Sequence, residues 1–424
     1  MTMTSKSIVL ASLAIVSYAY MLANDDTGTT THDDIIPVKG MHGFIRVDQN
    51  GNDMFYWMFP AKNNPETAPI MFWFQGGPGS SSFYGIIFEN GPFRVSKDGV
   101  SLNENSWDQN LHMVYVDNPS GTGYSESKLR DIVRQVSDLQ DRAQMLFLSF
   151  FEIYPQFKGR DLYIAGESYG GHHVPYIANR LHEMMKTNKD IVLKGAAIGN
   201  GWVTTSLMYP SFPMILLETK VINQTFHDEL MEDMRICQKM MQVNSMMTRS
   251  VAVAFCDRAY DKALIDPATG KNRFSEYDMR MPTEYSDDPL LAWLASTEVV
   301  NALKVGKFNN LMDYTIYYIF RRLDWKIDAG PWLLPLLEDG IKVMAYNGKS
   351  DWICNYRSGE LWTNNLKWSG QESFNNITAY NLTEFGLVKQ FGPFSFVVIE
   401  EAGHFVPHDQ PLNASRMIDW FVSQ

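Results

Sequence analysis

Leu162-Tyr163-Ile164-Ala165-Gly166-Glu167-Ser168-Tyr169-Gly170-Gly171 is the stretch on which the fold turns. An apolar run of strand character, Leu162–Ala165, leads into a G-x-S-x-G pentapeptide, and a helical pattern follows from near His173. The pentapeptide carries information only in that frame. A serine between small residues at a tight strand-to-helix turn has its hydroxyl presented at a sheet edge, above the helix N-terminus. Ser168 is therefore the candidate nucleophile.

A serine hydroxyl is inert near its free pKa and needs a base, which a third group must orient. Where the nucleophile sits on such a turn, the partners follow in the order acid, then histidine. Downstream, Asn347-Gly348-Lys349-Ser350-Asp351 follows the strand-like run Ile341–Tyr346, and Glu400-Glu401-Ala402-Gly403-His404 follows Ser395–Ile399 in the same way. Asp351 and His404 thus fall in loops at the carboxyl ends of strands, where open α/β sheets keep their sites. His172 and His173 open a helix and are expected to pack or bond locally. His404 and His408 stand four apart, but Pro407 lies between them and no acidic general base is suitably placed, so no metal site is expected. Gly77-Pro78-Gly79 lacks the lysine and the spacing of a phosphate loop.

Working outward, short apolar runs alternate with helical stretches. Ile70–Phe74, Met113–Val116 and Ala196–Ile198 join the runs above as buried strands, with helical periodicity at Val136–Tyr154 and Pro175–Thr187. GFIRV and MFYWMF, broken by Asp48-Gln49-Asn50-Gly51, read as an antiparallel hairpin ahead of them. The alternation predicts a mostly parallel sheet with helices on both faces. It lapses between roughly Leu207 and Pro335, where helical patterns run without strands. Residues 207–335 are thus expected to form an inserted helical cap between two core segments, 24–206 and 336–424. Clustered methionines there (Met240, Met241, Met246, Met247) suit helical core filling.

The 424 residues hold 36 Lys+Arg against 48 Asp+Glu, a net charge of −12, and 45 % are apolar. That composition excludes a disordered or collagenous chain, and the acid excess argues against a nucleic-acid partner. Three cysteines build no disulfide framework, though one bridge with a leftover thiol is compatible with them. Lys6 followed by an apolar run from Ile8 to Leu22 and small residues up to Ala23 reads as a secretory signal over residues 1–23, too short to span a membrane. No later stretch reads as a membrane anchor. Four sequons, Asn223, Asn376, Asn381 and Asn413, fit lumenal glycosylation. A soluble protein of the secretory pathway is the expectation.

These blocks together resemble the serine carboxypeptidase family, secreted and vacuolar α/β-hydrolases that remove C-terminal residues from peptides. They are Trp73-Phe-Gln-Gly-Gly-Pro-Gly-Ser-Ser-Ser82, Glu89-Asn-Gly-Pro-Phe93, Tyr115-Val-Asp-Asn-Pro-Ser-Gly-Thr-Gly-Tyr-Ser125, Gly166–Gly171, Ile198-Gly-Asn-Gly201, Asp351-Trp-Ile-Cys-Asn355 and Gly403-His-Phe-Val-Pro407. Gly91–Val95 and Gly121–Gly123 look closer to the fungal Golgi processing members. The resemblance implies an α/β-hydrolase fold and no cofactor. It implies Ser168 as nucleophile, His404 as base then acid, and Asp351 as its partner, with the N–H groups of Gly77 and Tyr169 as the oxyanion hole. It implies that Gln75, Glu89 and Glu167 bind the substrate's α-carboxylate, two carboxyls sharing a proton so that peptide hydrolysis is favoured in acid. Trp73, Tyr169 and Phe405 are expected near the pockets, and Cys354 resembles the family's unpaired thiol.

Two positions depart from the family. Gln75 stands where asparagine is usual, which keeps the amide but adds a methylene; acyltransferase relatives also change this block. Ser80 replaces the usual cysteine, so the bridge from this loop to the cap is lost, leaving Cys237 and Cys256 within the cap to pair with each other. Acidic cap residues Glu284, Asp287 and Asp288 suggest a preference for basic side chains.

Overall fold

A computed structural model describes residues 28–424 apart from 33–34, 128–132, 134–135, 244–245, 307, 309 and 379. The expected signal sequence over residues 1–23 lies outside the described residues. The chain divides into two compact units, the first built from residues up to Ile164 with Arg180–Lys194 and Asp287–Tyr317, the second from Ala165–Asn179, Gly195–Ser286 and Tyr318–Gln424.

In the first unit β1 (Gly28–His32), β2 (Ile36–Arg46) and β3 (Asp53–Phe59) form an antiparallel run that continues onto β7 (His112–Val116), which then pairs in parallel with β4 (Ile70–Phe74). A separate hairpin joins β5 (Phe93–Ser96) to β6 (Gly99–Leu102). The β2–β3 turn is the one expected at residues 48–51: Asp48 Oδ1 accepts from the N–H groups of Asn50 and Asn52 at 2.9 and 3.1 Å, and Gly51 takes φ +90°. Six of the seven residues of β3 are buried, so it is covered on both faces, as an uninterrupted apolar run demands. The helix Val136–Ile153 supplies part of that cover through Phe150, whose ring lies 6.0 Å from Tyr56, and it also packs Phe147 and Phe150 at 4.6 and 4.9 Å from Phe72 of β4. β8 (Asp161–Glu167) starts in this unit and ends in the other.

The second unit holds β9 (Val192–Gly199) from Gly195 on, with β10 (Lys342–Gly348) and β13 (Phe394–Ile399), as a parallel trio, extended by β12 (Leu387–Phe391) and β11 (Asn381–Leu382) as an antiparallel edge. The strands expected from apolar runs are all present, because a buried parallel strand must be apolar on both faces. The helix after the pentapeptide begins at Gly170, earlier than His173, and carries Pro175 inside it. Proline as a helix opener misplaces the start; the turn itself seeds the helix, with the Gly171 and His172 N–H groups already bonded to Ser168 and Tyr169 carbonyls.

Residues 207–335 hold helices and no strand of either sheet among the described residues. Gln224–Gln242 and Met246–Leu264 are joined by a disulfide between Cys237 and Cys256, with Cα atoms 5.2 Å apart. Met241 packs in the buried stripe of the first of these helices; the side chains of Met246 and Met247 lie outside the described residues.

What places the site is the register of β10 on β13. Gly348 pairs with Ile399, so the two following loops start side by side and bond to each other: Lys349 N–H to Ile399 O at 3.0 Å, Ser350 N–H to Ala402 O at 2.8 Å. The approach leaves no room for a side chain, since a Cβ on Gly348 would lie 2.0 Å from the Gly403 carbonyl oxygen. Gly348→Ala should therefore push the loops apart, lowering both the thermal midpoint and turnover of any hydrolysable substrate. A variant with wild-type values in both would refute the constraint.

Candidate active site

Ser168 follows β8 and is half-buried. Its backbone is left-handed, φ +59°, a strain of about 1–3 kcal/mol for a residue with a side chain. Three hydrogen bonds hold it there: Ser168 N–H to Gly199 O at 3.0 Å, Trp202 N–H to Ser168 O at 2.7 Å, and Gly171 N–H to Ser168 O at 2.9 Å.

The loops after β10 and β13 bring Asp351 and His404 together. Asp351 Oδ2 lies 2.8 Å from His404 Nδ1, with both side chains buried. A carboxylate accepts, so Nδ1 carries the proton and Nε2 is the lone-pair side of the neutral ring. His404 N–H donates to Tyr277 O at 2.7 Å, and the Tyr277 ring stands 5.1 Å from the imidazole. Glu167 Oε1 is 3.6 Å from Nε2, beyond hydrogen-bond length.

Asp351 Oδ2 also accepts from Asn200 Nδ2 at 2.7 Å and from the Cys354 N–H at 3.2 Å. Asn200 ties the group further, as its Oδ1 accepts from Gly348 N–H at 3.2 Å. The sequence shows Asn200 only as part of a block; nothing local to it announces a partner so far along the chain. Cys354 is buried, and burial, then the charges of Asp351, Glu167 and Glu276, push its thiol well above the ordinary value, so it stays protonated. Ligand-type atoms of Asp351, Cys354 and His404 lie within 4.8 Å of one another. A protonated thiol and a carboxylate already bonded to the imidazole make a poor donor set for a metal.

In the first unit Gln75 is locked from both ends: Trp73 Nε1 donates to its Oε1 at 2.7 Å, and its Nε2 donates to Glu89 Oε1 at 3.1 Å. Trp73 has no exposed surface, and its indole N–H is the one that goes to Gln75. Gly77 takes φ +102° in a loop fastened to a later segment, with Ser81 N–H bonded to Leu311 O and Asp313 N–H to Gly79 O, each at 2.8 Å. The loop also rests on the buried Asp117, which accepts from Ser81 Oγ at 2.7 Å and from the N–H groups of Ser82 and Tyr124 at 2.9 Å.

The remaining expected residues divide. Phe405 is 9 % exposed and packs on Tyr277 and Tyr285. The Tyr169 side chain is buried, its hydroxyl donating to Asp324 Oδ2 at 2.6 Å. Two of the acidic cap residues are occupied by structural donors: Glu284 accepts from Ser275 Oγ at 2.5 Å and from Glu276 N–H at 3.0 Å, and Asp287 from the Tyr84 hydroxyl. Asn223, Asn376 and Asn381 are exposed, whereas Asn413 is half-buried in the helix Pro411–Ser423.

Parallel strands with a serine on a strand-to-helix turn, and an acid–histidine pair in loops after later strands, define an α/β-hydrolase. Residues 30–424 match the serine carboxypeptidase family, and the chain belongs to it. Its relatives include serine carboxypeptidase-like 49 of Arabidopsis thaliana, 33 % identical over 412 residues, which are 92 % of this chain and 77 % of that one. Another is carboxypeptidase Y homolog A of Podospora anserina, 31 % identical over 420 residues, 91 % of this chain and 73 % of that one. The fold matches the crystal structure of Kex1(delta)p, a prohormone-processing carboxypeptidase from Saccharomyces cerevisiae, with a TM-score of 0.78 at 22 % identity, over 93 % of this chain and 95 % of that one.

Two outcomes follow from these bonds. Asn200→Ala removes a donor from a buried carboxylate, a bond of about 1.5–3 kcal/mol, so kcat/KM should fall about tenfold or more; an unchanged value would remove Asn200 from the site. Burial, against the bonds from Ser81, Tyr124 and Ser82, lifts Asp117 from 3.8 to about 6. Its stabilisation is complete below the unfolded value and lost as pH rises through 6. In urea unfolding, the wild type should therefore lose more stability between pH 4 and 7 than Asp117→Asn does.

Proposed function

We propose that this chain is a serine-type carboxypeptidase that releases C-terminal amino acids from peptides through an acyl-enzyme. The observation that carries the assignment is the His404 Nδ1–Asp351 Oδ2 bond of 2.8 Å, in loops of the same unit that holds Ser168 on its strained turn.

The mechanism assigned to these residues runs as follows. Ser168 Oγ attacks the scissile carbonyl carbon while its proton passes to His404 Nε2. The carbonyl π electrons move to oxygen, and the resulting oxyanion takes hydrogen bonds from the backbone N–H groups of Tyr169 and Gly77. Asp351 stabilises the imidazolium and fixes its tautomer. The tetrahedral centre collapses, the C–N bond breaks, and His404 gives its proton to the departing amine. Water then attacks the acyl-enzyme by the same route, restoring Ser168.

The family resemblance gives Gln75, Glu89 and Glu167 the task of binding the α-carboxylate. A protonated carboxyl donates to that group and an ionised one repels it, which favours peptide hydrolysis in acid. Gln75 supplies the amide, with its Oε1 accepting from Trp73 and its Nε2 donating to Glu89. Residues 207–335 are assigned as the cap and residues 1–23 as a secretory signal, with the four sequons as glycan acceptors. Among the described residues no helix is long and apolar enough to cross a membrane. Entry into the secretory pathway is part of the same proposal.

The test is hydrolysis of an N-blocked dipeptide beside its C-terminal amide, across about pH 4–8. Release from the free acid, favoured at low pH and abolished by Ser168→Ala, with little from the amide, is the expected result. Glu89→Gln should move the pH profile. No turnover of either compound, with Ser168 still labelled by an organophosphate, would replace hydrolysis with acyl transfer to an alcohol or amine.

A further inference from the structure

Behind the nucleophile turn, in the second unit, lies a group of titratable side chains that this mechanism does not use. Asp324, just past the helix Tyr314–Leu323, is 4 % exposed. Its Oδ2 accepts from the Tyr169 hydroxyl at 2.6 Å and faces His172 Nδ1 at 2.9 Å, and its Oδ1 takes a longer bond of 3.4 Å from the Tyr176 hydroxyl. All three partners belong to the nucleophile turn or to the first two turns of the helix Gly170–Met185. Burial pushes the Asp324 carboxyl up, but the charge and hydrogen bond of His172, followed by the Tyr169 bond, outweigh it and hold the group below its ordinary value. His173, driven down to about 3 by burial, stays neutral and only packs, with its ring 5.3 Å from Tyr169 and 6.0 Å from Phe320.

A buried carboxylate is expensive unless it is paired, and here its bonds go to Tyr169 on the turn that carries Ser168 and to His172 and Tyr176 on the helix that follows. Tyr169 is where they act. Its ring lies flat over Trp325, 5.6 Å away with 14° between planes, and stands 4.6 Å from His172. The N–H groups of Ser168, Gly171 and Trp202 go to backbone carbonyls, whereas that of Tyr169 makes no backbone hydrogen bond among the described residues. Ahead of it stands a residue in the left-handed region, and behind it come Gly170 and Gly171, which have no side chains to anchor the turn. A Cβ on Gly171 would lie 2.7 Å from the Trp202 nitrogen, so this stretch is also too tightly packed to gain an anchor. The Tyr169 N–H shares a planar peptide with the Ser168 carbonyl, which Trp202 and Gly171 hold at 2.7 and 2.9 Å, and the Tyr169 side chain anchors the same peptide from its other end.

We propose that Asp324 and His172 are positioning residues which, through the Tyr169 hydroxyl, aim the Tyr169 backbone N–H at the developing oxyanion. The proposal rests on the serine-nucleophile mechanism above. Loss of a whole oxyanion-hole donor costs about 10²–10³ in kcat; a donor kept but misaimed should cost about tenfold.

The experiment compares Tyr169→Phe, Asp324→Asn and the double variant in the full chain, with active sites counted by titration. Each single variant should lose about tenfold in kcat with KM within about twofold. Affinity for a peptide aldehyde should fall in step with kcat/KM, because its adduct carries the same oxygen. The double variant should lose no more than the worse single one, since both cut one linkage. Wild-type kcat per active site in Tyr169→Phe, or losses that multiply in the double variant, would overturn the proposal. If Asp324→Asn does not fold, Tyr169→Phe decides alone, as it removes one oxygen and keeps the ring. The rate at which a phosphonofluoridate labels Ser168 needs the same N–H but no peptide. Should the wild type label yet release no amino acid, the carboxypeptidase assignment falls, and the labelling rates of the variants still judge the link from Asp324 to Tyr169.

Discussion

A serine held at φ +59° is the constraint around which the second unit is arranged. The conformation is unfavourable for any residue with a side chain and persists only where the surroundings leave it no alternative. Here the end of β9 supplies one acceptor through Gly199, and Trp202, just beyond it, returns a donor to the Ser168 carbonyl. The turn and the end of β9 thus define each other. The gain is geometric: a hydroxyl standing clear of the sheet, with the N–H groups of the following helix start close behind it.

The acid and the base reach their places by a different route. Parallel neighbours in register end at the same level, so the loops after β10 and β13 are adjacent without any side chain specifying it. What side chains add is precision. Asn200 links three elements by bonding at once to the Asp351 carboxylate and to the Gly348 N–H. The Tyr277 carbonyl fixes the His404 backbone from the turns between the helices that end at Leu264 and begin at Asp288. A hydrogen-bonded imidazole so constrained has one ring orientation, and little reorganisation is needed when it gains a proton.

Much of this was legible in the sequence, and the reason is physical. Strands buried on both faces read as unbroken apolar runs, and the serine, acid and histidine each follow such a run directly. Asn200 and Asp324 were not legible in the same way. Each is a polar residue whose meaning depends on a partner about 150 positions distant. The start of the helix at Gly170 was misplaced because Pro175 resembles an opener, while the turn that really opens the helix makes its bonds through backbone atoms. The acidic residues Glu284 and Asp287 show a different limit of the sequence. Charge is visible in a sequence, but the Ser275 and Tyr84 hydroxyls that occupy Glu284 and Asp287 are not.

Ser80, where the family resemblance implies a half-cystine, bears on how this protein tolerates its surroundings. The Gly77 loop is fastened instead by main-chain bonds, Ser81 to Leu311 and Asp313 to Gly79, with Ser80 bridged to Met312. Such bonds re-form whenever the chain folds and ignore the thiol balance of the medium. The covalent link that remains, Cys237–Cys256, closes a short loop within one helix pair, a constraint worth about 3 kcal/mol. A reductant therefore reaches the local stability of that helix pair and leaves the fastening of the Gly77 loop untouched. Electrochemical stress and the placement of this loop are uncoupled in this chain.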